Sequence, residues 1–105
     1  MSEINWKTKE KSELVNAILS LKNKDETERF LRDLLTEGEI EEFARRFRAA
    51  ELLAENVPYS RIEAETGLSS TTVARVSKWL SGDLGGYRTV IARLHHHSTS
   101  LARGS

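Results

Sequence analysis

In the segment SSTTVARVSK, two hydroxyl side chains and two long cations recur at spacings that a helix would gather on one face: Ser70, Thr71, Ala74, Arg75 and Lys78. A hydroxyl gives and takes single hydrogen bonds, a guanidinium can fork onto the acceptor edge of a guanine or onto a phosphate, and an ammonium acts as a point charge. Together they suit the surface of duplex DNA. Arg75 can read a base, contact a phosphate or stand as an exposed helix charge, a DNA contact being the favoured reading, and Lys78, one turn on, is the candidate phosphate contact. Thr72 is a weaker candidate because its position leans toward the inner face. Upstream, Tyr59, Ser60 and Arg61 stand where phosphate contacts or plain solvated surface are equally expected. Chemistry of bond making is not expected. The chain has no cysteine, its three histidines are consecutive at His95, His96 and His97, and no glycine-rich phosphate loop is present. Catalytic residues, a metal site and a cofactor are therefore not expected, and zinc fingers and thiol nucleophiles are excluded.

The elements that must hold this face are legible around it. Residues 57–80, VPYSRIEAETGLSSTTVARVSKWL, read as two short helices joined by a turn at Gly67, with Ile62, Leu68, Val73 and Val76 on the inner side. Ser69 is placed to cap the second helix, which is predicted from Ser70 to Leu80. This is a helix-turn-helix pattern, whose second helix enters a major groove. The fifth residue of such a unit is commonly small, and here it is Glu63. Either its carboxylate swings to water or the two helices cross more openly than usual.

The remaining pattern is helical throughout. Leu14, Val15, Ile18 and Leu19 predict a helix from about Lys7 to Lys22, ended by Asn23. Phe30, Leu31, Leu34 and Leu35 predict a second from Asp25 to Leu35. Thr36 and Glu39 form a capping box for a long third helix reaching about Glu55, whose apolar positions include Ile40, Phe43, Phe47, Ala50 and Leu53. Asn56–Val57–Pro58 breaks it. Gly82, Asp83, Gly85 and Gly86 mark a flexible connection before a short final helix carrying Tyr87, Val90, Ile91 and Leu94. The expected fold is all-α with six helices, one domain over residues 1–94 and a disordered tail over 95–105. Without an apolar signal core or a membrane-length run, a soluble, cytoplasmic protein is expected.

The formal net charge is zero, but it is segregated: residues 1–65 carry 11 basic against 15 acidic side chains, and residues 66–105 carry 5 against 1. The half holding the candidate DNA face is thus the basic one. Arg45, Arg46 and Arg48 sit among Glu41, Glu42 and Glu51 on the long helix. Pairs at i, i+4 add only about 0.2–0.5 kcal/mol each, so a solvated face is the default reading for Arg45 and Arg48. Trp6 and Trp79 read as packing residues, since neither is interleaved with the aromatics of a single-strand binder.

The order of LLTEGEIEEFARRFRAAELL followed by IEAETGLSSTTVARVSKWL resembles the Trp-repressor superfamily, and within it the YerC/YecD-like branch, over about Leu14 to Leu94. The resemblance implies an intertwined homodimer that exchanges its N-terminal helices and binds operator DNA. It also implies an effector slot between the long helix and the recognition helix, with Arg46 and Arg75 at the two arginine positions and Leu35, Thr36 and Thr72 at other lining positions. Val76 and Trp79 depart from that pattern, standing where the repressor has a glycine and a serine. Bulk there leaves little room for an indole, and Trp79 could fill the slot itself, so tight tryptophan binding is not expected.

Physical reasoning supports the dimer separately. Leu14, Ile18, Phe30, Leu34, Phe43 and Phe47 offer more apolar face than a short chain easily buries alone, the alternative being a compact monomeric bundle. A two-fold dimer would set two recognition helices about 34 Å apart on a palindromic operator. The sequence thus reads as a homodimeric, sequence-specific transcriptional regulator of the repressor type. Its rivals are a helical protein-interaction module without DNA binding and an amino-acid-responsive, effector-dependent repressor.

Overall fold

The computed structural model describes residues 3–104, with side chains through His95. Its order is α1 (Lys9–Leu19), α2 (Lys24–Leu34), α3 (Glu37–Ala54), α4 (Tyr59–Thr66), α5 (Ser70–Ser81) and α6 (Gly86–Gly104). The described residues are all-helical, as expected, and they divide into two compact units, Met1–Ile40 and Glu41–Ser105.

In the first unit, local capping sets the helix boundaries. Thr8 precedes α1, and its Oγ1 accepts from the Lys11 amide at 3.4 Å. The helix ends at Ser20, whose amide reaches Asn16 O at 3.0 Å. Asn23 does not end α1 as the sequence suggested; it starts α2. Its Oδ1 accepts from the Glu26 amide at 2.9 Å, while Glu26 Oε1 accepts from the Lys22 amide at 3.0 Å. A short amide side chain satisfies a free N–H at a helix start more readily than it stops a helix, which accounts for the reversal. No residue of α1 or α2 is buried. Leu14, Ile18, Leu31 and Leu34 all stay exposed.

The capping box that opens α3 forms as expected. Glu39 N donates to Thr36 Oγ1 at 3.1 Å and Thr36 N donates to Glu39 Oε1 at 2.9 Å, so each residue satisfies the other's amide.

The core lies in the second unit. Ala49, Ala50 and Leu52 of α3, Ile62 of α4, Leu68 of the turn, Val73 and Val76 of α5 and Ile91 of α6 form one buried cluster. Phe47, Leu53, Val57, Leu80 and Tyr87 pack around it. The α3 terminus is more ordered than a simple break. Asn56 takes a left-handed conformation at φ 61, the Val57 amide reaches back to Leu52 O and the Asn56 amide to Leu53 O, both at 3.0 Å. That double bond pattern closes the free carbonyls of the last turn and turns Val57 inward.

The last helix differs from the sequence reading. Its backbone continues through the segment taken as a disordered tail, as far as Gly104. Between Leu94 and Arg103 there is neither proline nor glycine, so nothing local halts a helix once it is started. Among the described residues, no helix is long and apolar enough to cross a membrane.

Candidate nucleic-acid interface

The geometry of the α4–α5 unit starts at its turn. Gly67 sits at φ 75, a left-handed conformation open to glycine at little cost, and its amide donates to Glu63 O at 2.9 Å. Thr66 adds a fastening that the sequence did not suggest. Its Oγ1 donates to Ile62 O at 2.7 Å and accepts from the Leu68 amide at 3.3 Å. The signal was one hydroxyl beside a turn glycine, too common to single out. Glu63 is half-buried. No described side-chain polar atom is buried without a partner, so the Glu63 carboxylate keeps access to water.

Ser69 caps α5 as expected, its Oγ accepting from the Thr72 amide at 3.2 Å and donating to Thr72 Oγ1 at 3.0 Å. The cap engages the Thr72 hydroxyl, and Thr72 is half-buried. Along α5 the two faces separate cleanly. Val73 and Val76 are buried in the core, while Ser70, Thr71, Ala74, Arg75 and Lys78 are all exposed on the other side. Tyr59, Ser60 and Arg61 are exposed at the start of α4.

Ion pairing divides the cations in the same way. On α3, Arg46 Nε lies 3.1 Å from Glu42 and its guanidinium sits 5.6 Å from the Phe43 ring centroid. Arg45 pairs with Glu41 at 3.8 Å. Arg48 pairs with Glu51 at 3.5 Å and reaches Glu65 of α4 at 3.8 Å. The last contact ties α3 to the helix-turn-helix, and no local spacing announced it. None of the ion pairs among the described residues involves Arg61, Arg75 or Lys78. These cations are thus available to an external anion without first giving up a carboxylate.

A match to the family model described as Trp repressor protein spans residues 9–95. The chain belongs to the Trp repressor family. It is 40% identical over 91 residues to the uncharacterized protein YerC of Bacillus subtilis, covering 87% of this chain and 88% of that one. It is similar to the crystal structure of a TrpR-like protein from Eubacterium eligens, with a TM-score of 0.80 at 40% identity over 86% of this chain and 93% of that chain. A second crystal structure, from Staphylococcus aureus, gives 0.75 at 33% identity over 80% and 84% of the two chains. The family is one of regulators.

Within a Trp repressor family frame, the seven candidate effector residues are differently engaged. In the N-terminal unit, Leu35 follows α2 and Thr36 has its hydroxyl in the capping box. In the second unit, Arg46 is paired with Glu42, the Thr72 hydroxyl is taken by Ser69, and Arg75 faces solvent. Val76, 3% exposed, is the side chain that occupies interior space. Trp79 remains 41% exposed. It forms one wall of an open groove of about 490 Å³ whose other lining residues are Phe47, Leu84, Gly86, Tyr87 and Val90. Phe47 and Tyr87 meet there with ring centroids 6.4 Å apart. None of the described residues that line the groove is charged, so they offer no group to hold the carboxylate of an effector.

Proposed function

We propose that this Trp repressor family member is a sequence-specific, DNA-binding transcriptional regulator of the repressor type that acts as a homodimer. The observation that carries the reading is the outer face of α5. Two hydroxyls and two cations outside every described ion pair stand exposed on a helix whose opposite side is locked into the core by Val73 and Val76. Arg75 is the base reader and Lys78 the phosphate contact. Ser69, Ser70 and Thr71 offer hydroxyls beside the free amides of the first turn, and Tyr59, Ser60 and Arg61 contact the backbone from α4. Selection of bound fragments from a genomic library tests this directly. A short palindromic consensus should emerge, and its affinity should fall steeply between about 50 and 200 mM salt. Binding to no duplex, or salt-insensitive binding to another protein, would replace DNA recognition with the interaction-module reading.

The dimer rests on apolar surface. Leu14, Ile18, Leu19, Leu31, Leu34 and Phe43 are all exposed in the single chain, more than a stable monomer would leave in water. Sedimentation at micromolar concentration should return twice the chain mass of 11.9 kDa. A monomeric mass across that range would remove the palindrome argument as well.

Free tryptophan is not a tight corepressor in this reading. Val76 occupies interior volume where an indole would need it, and overpacking a core typically costs about 1–3 kcal/mol. Calorimetry with L-tryptophan should show no tight binding by the wild type. Gain of binding in a Val76→Gly, Trp79→Ser variant would support the steric explanation. Tight binding by the wild type, with strengthened DNA association, would refute it.

A further inference from the structure

We infer that Arg88 is a positioning residue that holds the C-terminal turn of the recognition helix in place for DNA binding. The inference rests on the reading of α5 as that helix. Arg88 lies in the first turn of α6, yet its Nη1 donates to Leu80 O in the last turn of α5, eight residues back. The carbonyls of a final turn lack partners within their own helix and carry the negative end of the helix dipole. A guanidinium there supplies both a donor and a compensating charge.

The connection is shaped to allow this. Gly85 adopts φ 70, and a Cβ on it would lie 3.2 Å from Arg88 Nη2, so the glycine leaves the space the guanidinium occupies. The Gly85 carbonyl accepts from the Thr89 amide at 2.9 Å, which starts α6 at that point and fixes where Arg88 emerges. Beneath the bond, Val76 and Ile91 are buried together and Leu80 and Tyr87 pack alongside. Lys78 belongs to the turn so held. Fraying of that turn would cost affinity in proportion to the population that frays, without changing the contacts of the bound state.

Hydrogen exchange in the free full-length protein and duplex titrations across salt together test the role. In Arg88→Ala the amides of Leu80, Ser81 and Gly82 should exchange about 3- to 10-fold faster. Affinity for the selected duplex should fall about 2- to 5-fold with an unchanged slope of log affinity against log salt. Arg88→Lys, which keeps a charged donor, should recover most of both losses. Should Arg88→Ala not fold, Arg88→Lys against the neutral Arg88→Gln gives the same comparison, with the lysine variant the better protected. Unchanged exchange would overturn the inference. So would a salt slope reduced by about 1, which marks Arg88 as a direct phosphate contact. Absence of duplex binding by the wild type would retire the DNA reading and the role in recognition with it, while the exchange data alone would still show whether Arg88 holds the turn.

Discussion

Ile62→Ala should lower the unfolding free energy by about 2–5 kcal/mol, a large fraction of the 5–15 kcal/mol typical of a domain. Ile62 is fully buried and is the single buried residue of α4. Its side chain sits in one cluster with Val73, Val76 and Leu68, so truncation leaves a cavity at the point where the two helices of the unit meet. The Ile62 carbonyl also receives the Thr66 hydroxyl that fastens the turn. Because the cluster joins both helices, the cost should be felt across the α4–α5 unit rather than at one helix. Urea unfolding followed by helical signal measures it, at fixed protein concentration because the proposed dimer would make stability depend on concentration. A loss below about 1 kcal/mol would mean that the site collapses around the smaller side chain.

Arg75→Ala should weaken binding to the selected duplex by about 1–3 kcal/mol and relax preference at one base position, because a forked guanidinium discriminates one base edge. Lys78→Ala should act differently, weakening selected and scrambled duplexes alike and reducing the salt slope by about 1. Both residues are exposed and belong to no described ion pair, so neither substitution removes a described fold contact. Unchanged helicity and unfolding midpoints should accompany both effects. If neither substitution alters binding in a folded protein, the outer face of α5 is not the recognition surface. A loss confined to Arg61→Ala would then move the contact to α4.

Interactions closed within a few residues were legible in the chain before any fold was known. The Thr36–Glu39 box, the Ser69 cap, the turn at Gly67 and the pairs Glu41–Arg45 and Glu42–Arg46 each depend on spacing of three or four residues. A helix fixes such distances regardless of what surrounds it. The two-faced character of α5 belongs to the same class, since the period that puts Val73 and Val76 inward also turns Arg75 and Lys78 outward. Family resemblance was legible for the same reason: its motif lies in those stretches.

Tertiary structure decided what depends on residues far apart or on competition between neighbours. Asn23 could end one helix or begin the next, and the choice fell to the amide nearest its oxygen. Helix α6 runs beyond its amphipathic segment because propagation needs only the absence of a breaker, which a search for apolar periodicity does not detect. Arg48 meets Glu65 across two helices, and Trp79, Phe47 and Tyr87 come to share one groove. Arg88 meets Leu80 across the connection between α5 and α6, where Gly85 takes a left-handed conformation. Sequence thus determined the number of helices, the caps at Thr36 and Ser69 and the chemistry of the exposed face. Packing determined that Arg48 also reaches a carboxylate on another helix and that Arg88 meets a helix end, because those contacts turn on distances that local spacing does not set.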